Sequence, residues 1–275
     1  MTVPAWPVAI GGVGGSGTRV VASALSSAGW YLGGDLNEAQ DNLWFTTLFK
    51  HLGALSMPEA DFAVLVELFV QRMRDGCIDP ARIGVVESLA QRESDQHAPE
   101  WFAERLRSMT ADDDGAGGRR WGWKEPNTHV VLERLERCLP GLRYVHVARS
   151  GLDMAVSSNQ NQPRLWGAAL GVPYDGTPAS SLRFWCAAQR RVLATATRMP
   201  DRFLFVRFED LCADPLTELE RLFRFCGVDA ADLAAEAAAP SVRPPDSLGR
   251  GLGSADFEFD RSDVAYVRSL GFAVD

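Results

Sequence analysis

Val8-Ala9-Ile10-Gly11-Gly12-Val13-Gly14-Gly15-Ser16-Gly17-Thr18-Arg19, followed by an apolar-periodic run over 20–28, reads as a short strand, a turn with five glycines and a helix. In that order, backbone N–H groups and a helix N-terminus converge on an anion. Three phosphate chemistries compete for such a cradle, beside a plain glycine turn that binds nothing. Gly12-Val13-Gly14-Gly15-Ser16-Gly17 matches the dinucleotide fingerprint G-x-G-x-x-G, with Asp35 about 20 residues on as the ribose acid. A nucleoside triphosphatase requires G-x-x-x-x-G-K-[ST], but Gly17 is followed by Thr18-Arg19, so the lysine for the β- and γ-phosphates is absent. In the third chemistry Ser16, Gly17 and Thr18 hold a single 5′-phosphosulfate, and the remaining chain must decide.

Composition sets the outer bounds. The 275 residues are 46% hydrophobic and 23% charged, which is ordinary globular usage and enough for one large α/β domain spanning 1–275. A net charge of −8 argues against a nucleic-acid partner, so an anion pocket has to bring its own local cations. Cys77, Cys138, Cys186, Cys212 and Cys226 are odd in number and widely spaced. They suggest buried reduced thiols rather than a disulfide framework or a metal site. Residues 1–7 have no basic leader, and no apolar run approaches the roughly 20 residues of a membrane span. A cytoplasmic enzyme is expected.

A dinucleotide fold should place another strand soon after 29–35, yet helical patterns follow instead. Residues 41–55 carry Leu43, Trp44, Leu48, Phe49 and Leu52 on one helix, and 62–73 repeat the spacing with Phe62, Leu65, Val66, Phe69 and Met73. These helices, in an insertion at about 35–110, suggest a substrate lid. A helix is expected over 99–109, and 111–118 is an acidic, glycine-rich loop. Strands at 121–124, 143–148 and 203–206 then alternate with helices at 127–138, 151–160, 181–199 and 215–226, before a last helix at 260–269. That alternation predicts an α/β fold, a central parallel sheet with helices on both faces.

Four segments fall at strand ends, where open parallel sheets bind ligands. They are the glycine turn, Lys124 in Lys124-Glu125-Pro126, Arg149 and Glu209. An arginine fork with the Ser157 hydroxyl suits a phosphomonoester, although Arg149 has a competing partner in Asp153. At this point the chain resembles the sulfotransferases that use 3′-phosphoadenosine 5′-phosphosulfate. The resemblance rests on four ordered motifs. Gly14, Gly15, Ser16, Gly17, Thr18 and Arg19 match the 5′-phosphosulfate loop, and Arg149 with Ser157 matches the 3′-phosphate motif. Phe208-Glu209-Asp210-Leu211 resembles the Tyr-Glu-Asp-Leu segment, and Asp246-Ser247-Leu248-Gly249-Arg250 the late nucleotide loop.

The resemblance implies a three-layer, P-loop-like architecture and cofactor binding by those loop residues, Arg149, Ser157, Phe208, Gly249 and Arg250. The spent product would be adenosine 3′,5′-diphosphate. It implies no metal and no membrane span, and an acceptor that is a small molecule, a carbohydrate or a lipid. Two positions depart from the pattern. Gly15 stands where many members carry a lysine, so Lys124 or Arg19 must supply that charge, with Lys124 the stronger candidate. Phe208 replaces the tyrosine and keeps only its aromatic surface. For the base, the related carbohydrate enzymes point to Glu38, twenty positions after Thr18. Asp41 is the second candidate and His129 the third, while Glu38 and Asp41 can equally serve as helix caps. His146 is expected in the core and His51 and His97 on the surface, and Trp166 either lines an acceptor pocket or packs. The alternatives are an NAD(P)-dependent oxidoreductase and a nucleotide-binding protein without turnover.

Overall fold

The short apolar run before the glycine turn is the first strand of the sheet. In a computed structural model describing residues 6–92, 96–252 and 258–275, strands β1 (Val8–Gly11), β2 (Gly122–Lys124), β3 (Arg143–Ala148) and β4 (Phe203–Arg207) are all parallel. They lie in the order β2-β1-β3-β4. Ile10 is opposite Lys124 on one side and Val145 on the other, which brings the charged end of β2 level with the start of the turn.

Helix α1 (Thr18–Ser27) follows β1, and α2 (Leu43–Phe49), α3 (Gly53–Ser56), α4 (Glu59–Asp75), α5 (Ile83–Ala90) and α6 (Pro99–Thr110) precede β2. Helix α7 (Thr128–Cys138) joins β2 to β3, and α8 (Gly151–Ala155), α9 (Asn161–Trp166) and α10 (Pro178–Ala196) join β3 to β4. Helices α11 (Phe208–Ala213), α12 (Pro215–Cys226), α13 (Ala231–Ala238) and α14 (Arg261–Ser269) complete the chain. Local chemistry sets the ends: Asp214 caps α12 through Thr217 N, Pro215 occupies the first turn, and Gly227 closes it at φ 74°.

The sheet is covered on both faces. Val8, Ile10, Val145, Val147, Leu204 and Val206 pack on α1, α11, α12 and α13. Ala9, Trp123 and Tyr144 face the opposite layer, where α2 and α4 contribute Phe45, Phe49, Phe62 and Phe69. A third cluster gathers α8, α9, α10 and α14 around Trp166 and Trp185. None of the described helices is long and apolar enough to cross a membrane.

The helices of the 35–110 insertion carry the aromatic core of one sheet face, with Phe69 5.1 Å and Phe45 5.5 Å from the Trp123 ring. Two expectations change. The single helix over 41–55 is divided, with Asn42 capping α2 through Phe45 N and a new start at Gly53. The helix over 151–160 stops at Ala155, where Gln160 Nε2 donates to the carbonyls of Met154 and Ser157 at 3.0 and 2.7 Å in place of continuing helical N–H groups. Helices α5, α9, α11 and α13 are additions to the expected set.

Phe69 is 1% exposed and touches three aromatic rings. Phe69→Ala is expected to cost about 3–5 kcal/mol in urea unfolding. Leu233→Ala, at a side chain 61% exposed, should stay within about 0.5 kcal/mol.

Candidate functional site

The order β2-β1-β3-β4 has its switch point between β1 and β3, and ligands of open α/β sheets bind in the crevice outside the strand ends at such a point. A cleft of about 420 Å³ opens there. The glycine turn leaves β1 into it. Gly15 and Gly17 adopt φ of 98° and 93°, the left-handed region that suits glycine. A Cβ on Gly17 would lie 2.2 Å from the Phe208 ring, and one on Gly12 2.2 Å from Val147 O, so the turn is seated directly on the ends of β3 and β4. A lysine at Gly15 would need that strained φ, while its Cβ would make only an ordinary contact with Met154 at 3.4 Å.

The turn presents donors. Ser16 N is used by Val13 O and Val20 N by Gly17 O, each at 3.0 Å. The first N–H groups of α1, at Thr18 and Arg19, have no intrahelical acceptor. The Ser16 hydroxyl is buried without a partner among the described residues. An orphaned hydroxyl beside free main-chain N–H groups is the pattern expected where an anion completes the bonding.

Lys124 lies across the cleft at 2% exposure. Its Nζ donates to Ala39 O at 2.9 Å and to Asp41 Oδ1, leaving one of three N–H groups for a ligand. Asp41 is fixed beside it because Asn42 N donates to Lys124 O at 2.7 Å while Asn42 Nδ2 reaches Leu32 O at 3.0 Å. Asn37 Nδ2 holds the other Asp41 oxygen at 3.1 Å. Glu125, buried under the turn, accepts from Asn127 Nδ2 at 2.8 Å, and burial pushes its carboxyl up.

Arg149 and the late loop meet on Asp153. Arg149 Nε and Nη2 donate to Asp153 Oδ2 at 2.9 and 2.6 Å, and Gly249 N donates to the same oxygen at 2.8 Å. Arg250 Nε donates to Asp153 O at 2.9 Å. Burial and the neighbouring Arg149 charge lower the Arg250 guanidinium below its ordinary value. Glu209 accepts from Ser150 N at 2.8 Å, its other oxygen is buried without a partner among the described residues, and burial raises its carboxyl.

The cleft is lined by Gly14, Gly15, Gly17, Thr18, Arg19, Lys124, Asp41, Arg149 and Phe208, so most of the residues singled out from the sequence converge. Others stand apart. Glu38 is exposed in the turn preceding Asp41 and is absent from the lining. Ser157 lies beyond the end of α8 and accepts from Asn159 N at 3.2 Å. His129 is 1% exposed, with Nε2 on Gln162 Oε1 at 2.9 Å, and Gln162 in turn donates to Gly12 O at 3.2 Å. It braces the turn from below. Trp166 is fully buried, its N–H on Asn127 Oδ1 at 2.8 Å, and belongs to the core rather than to an acceptor wall. Asp35, the would-be ribose acid, is engaged by Arg105 at 2.9 Å and by the Ser108 hydroxyl. Arg243 and Asn159 join the lining without having been singled out, and their positions in loops carry no periodic signal that could have marked them.

All four histidines are held below their ordinary value of about 6.5, with burial the largest cause. His51, His97 and His129 fall to about 4 and His146 to about 3. His51 and His97 are therefore half-buried rather than surface groups. The unfolded chain's histidines bind more protons between those values, so their contribution to stability is full above about pH 6.5 and is lost as pH drops towards 4. Urea midpoints should decline over that window, and NMR should find the His129 ring neutral at pH 5.5. A His129 titration centred near 6.5 would contradict the burial.

A family model described as "Sulfotransferase family" matches residues 7–232. No curated protein matches the sequence. Among solved structures, the sulfotransferase domain from the Synechococcus PCC 7002 olefin synthase superposes with a TM-score of 0.55 at 16% identity, covering 100% of this chain and 98% of that one. The sulfotransferase domain from the curacin biosynthetic pathway gives 0.51 at 15% identity, covering 99% and 100%. At these identities the likeness is one of fold.

Proposed function

Because the chain belongs to the sulfotransferase family, we propose that it moves a sulfuryl group from 3′-phosphoadenosine 5′-phosphosulfate to a hydroxyl or amine acceptor by in-line displacement. The observation that carries this reading is the convergence of the open N–H groups of the glycine turn, Lys124 and Asp41 on one cleft at the switch point. The donor supplies the sulfuryl group and a phosphoadenosine leaving group. The residues of the chain do the rest, and in such a transfer positioning and charge stabilisation dominate.

The N–H groups of the turn and the hydroxyls of Ser16 and Thr18 hold the 5′ end. Arg19, exposed at the mouth, adds charge there. The remaining N–H of Lys124 faces the oxygen that gains charge as the S–O bond to the 5′-phosphate breaks. Its charge replaces that of the lysine absent at Gly15. Asp41 takes the acceptor proton as the new O–S or N–S bond forms, since it is the carboxylate that lines the cleft while Glu38 does not. Phe208 offers an aromatic surface to adenine, and Arg149, Gly249 and Arg250 belong to the 3′-phosphate end. A pocket of this polarity admits a small molecule, a carbohydrate or a lipid as acceptor. The five free cysteines fit a cytoplasmic setting.

Transfer of labelled sulfate to a panel of acceptors tests the reading. Lys124→Ala should lower kcat about a hundredfold to a thousandfold, as loss of a charge-stabilising donor does. Asp41→Asn should lower it about a hundredfold or more, with Glu38→Gln unaffected. Retained turnover in Lys124→Ala would remove it from the reaction, and the opposite ranking of the carboxylates would move the base to Glu38.

A further inference from the structure

We propose that Asp153 is a positioning residue for the 3′ end of the donor, orienting Arg149 and fastening the 247–251 turn to α8 so that the two act on the 3′-phosphate as one unit. The inference rests on the donor assignment above and deepens it. Asp153 is 1% exposed, and its carboxylate pairs with Arg149 and also accepts main-chain N–H groups. Its Oδ2 accepts from Arg149 Nε and Nη2 and from Gly249 N, and its Oδ1 accepts from Gly251 N at 2.8 Å. Its main-chain oxygen takes Arg250 Nε at 2.9 Å. One side chain on α8 therefore joins the end of β3 to a turn 98 residues further along the chain.

Two features make the junction a device for orientation. First, an arginine has five N–H donors in a rigid fork. Four are engaged here, by Asp153 twice, by Ser247 O and by Ser247 Oγ at 3.3 Å, which leaves a single Nη1–H. Arg149 thus offers one aimed donor rather than a free fork, and the Ser247 hydroxyl lies beside it. Second, the turn is pressed on the helix itself. A Cβ on Gly251 would lie 2.3 Å from Leu152 C and 2.5 Å from Asp153 N. With the Asp153 carboxylate neutralising Arg149, the net positive charge at this end comes from Arg250, which Asp153 O also holds.

Removing the carboxylate leaves Arg149 buried at 4% exposure without its counter-charge and frees the turn together. Calorimetry on the full chain compares binding of adenosine 3′,5′-diphosphate with that of adenosine 5′-monophosphate, which lacks only the 3′-phosphate. Asp153→Asn should weaken the diphosphate about tenfold or more, the worth of a charge-assisted hydrogen bond, and leave the monophosphate unchanged. In turnover the same variant should raise the donor KM and keep kcat at saturating donor. Gly251→Ala lifts the turn while sparing both charges, should show the same selective loss, and carries the test alone if Asp153→Asn does not fold. An unchanged or tighter diphosphate affinity, as a carboxylate that merely competes with phosphate for Arg149 would give, overturns the inference. So does equal weakening of both ligands, the mark of a purely structural role. A wild-type chain that does not prefer the diphosphate to the monophosphate would instead overturn the donor assignment, and this inference with it.

Discussion

The turn between β1 and α1 has no room for side chains where it crosses the sheet: Gly12 is against Val147 O and Gly17 against the Phe208 ring. That constraint ties together segments about 190 residues apart in sequence and fixes where the open N–H groups of α1 point. Everything else in the cleft is arranged around it. Pro126 O accepts from Gly12 N at 3.0 Å, so the segment after Lys124 is bonded to the turn itself. The His129–Gln162 pair supports the turn from beneath through Gly12 O.

Charge follows from that seating. A chain of net charge −8 concentrates Arg19, Lys124, Arg149 and Arg243 around one cleft, and Asp41 and Asp153 are each spent on a specific cation there. The Lys124–Asp41 pair places a cation and a carboxylate together beside β1. The Arg149–Asp153 pair holds the guanidinium by Nε and Nη2. Gly15 has its backbone in the left-handed region, where glycine is at ease and lysine is not.

Much of this was legible in the sequence. Short apolar runs between helical patterns marked β1, β3 and β4 almost to the residue, and Pro215 with Gly227 bracketed α12. The glycine turn, Lys124 and Arg149 announced themselves by falling at strand ends. Other parts had no local signal. Glu38 and Asp41 differ by three positions, and tertiary bonds, Asn42 N to Lys124 O and Lys124 Nζ to Asp41, bring Asp41 to the cleft. The helices of the 35–110 region showed their apolar stripes but not the partner, which is the Trp123 face of the sheet. Trp166 is hidden by tertiary packing that periodicity cannot express, since it lies in a six-residue helix.

The central claim is that the glycine turn at the β1/β3 switch point holds the 5′ end of an adenosine 3′,5′-bisphosphate nucleotide. Amide ¹⁵N–¹H NMR during titration with adenosine 3′,5′-diphosphate tests it most directly. The largest shifts should fall on the N–H groups of Gly14, Gly15, Gly17, Thr18 and Arg19, with a second group at Gly249 and Arg250. Shifts confined to other surfaces, or none at saturating nucleotide, would contradict it.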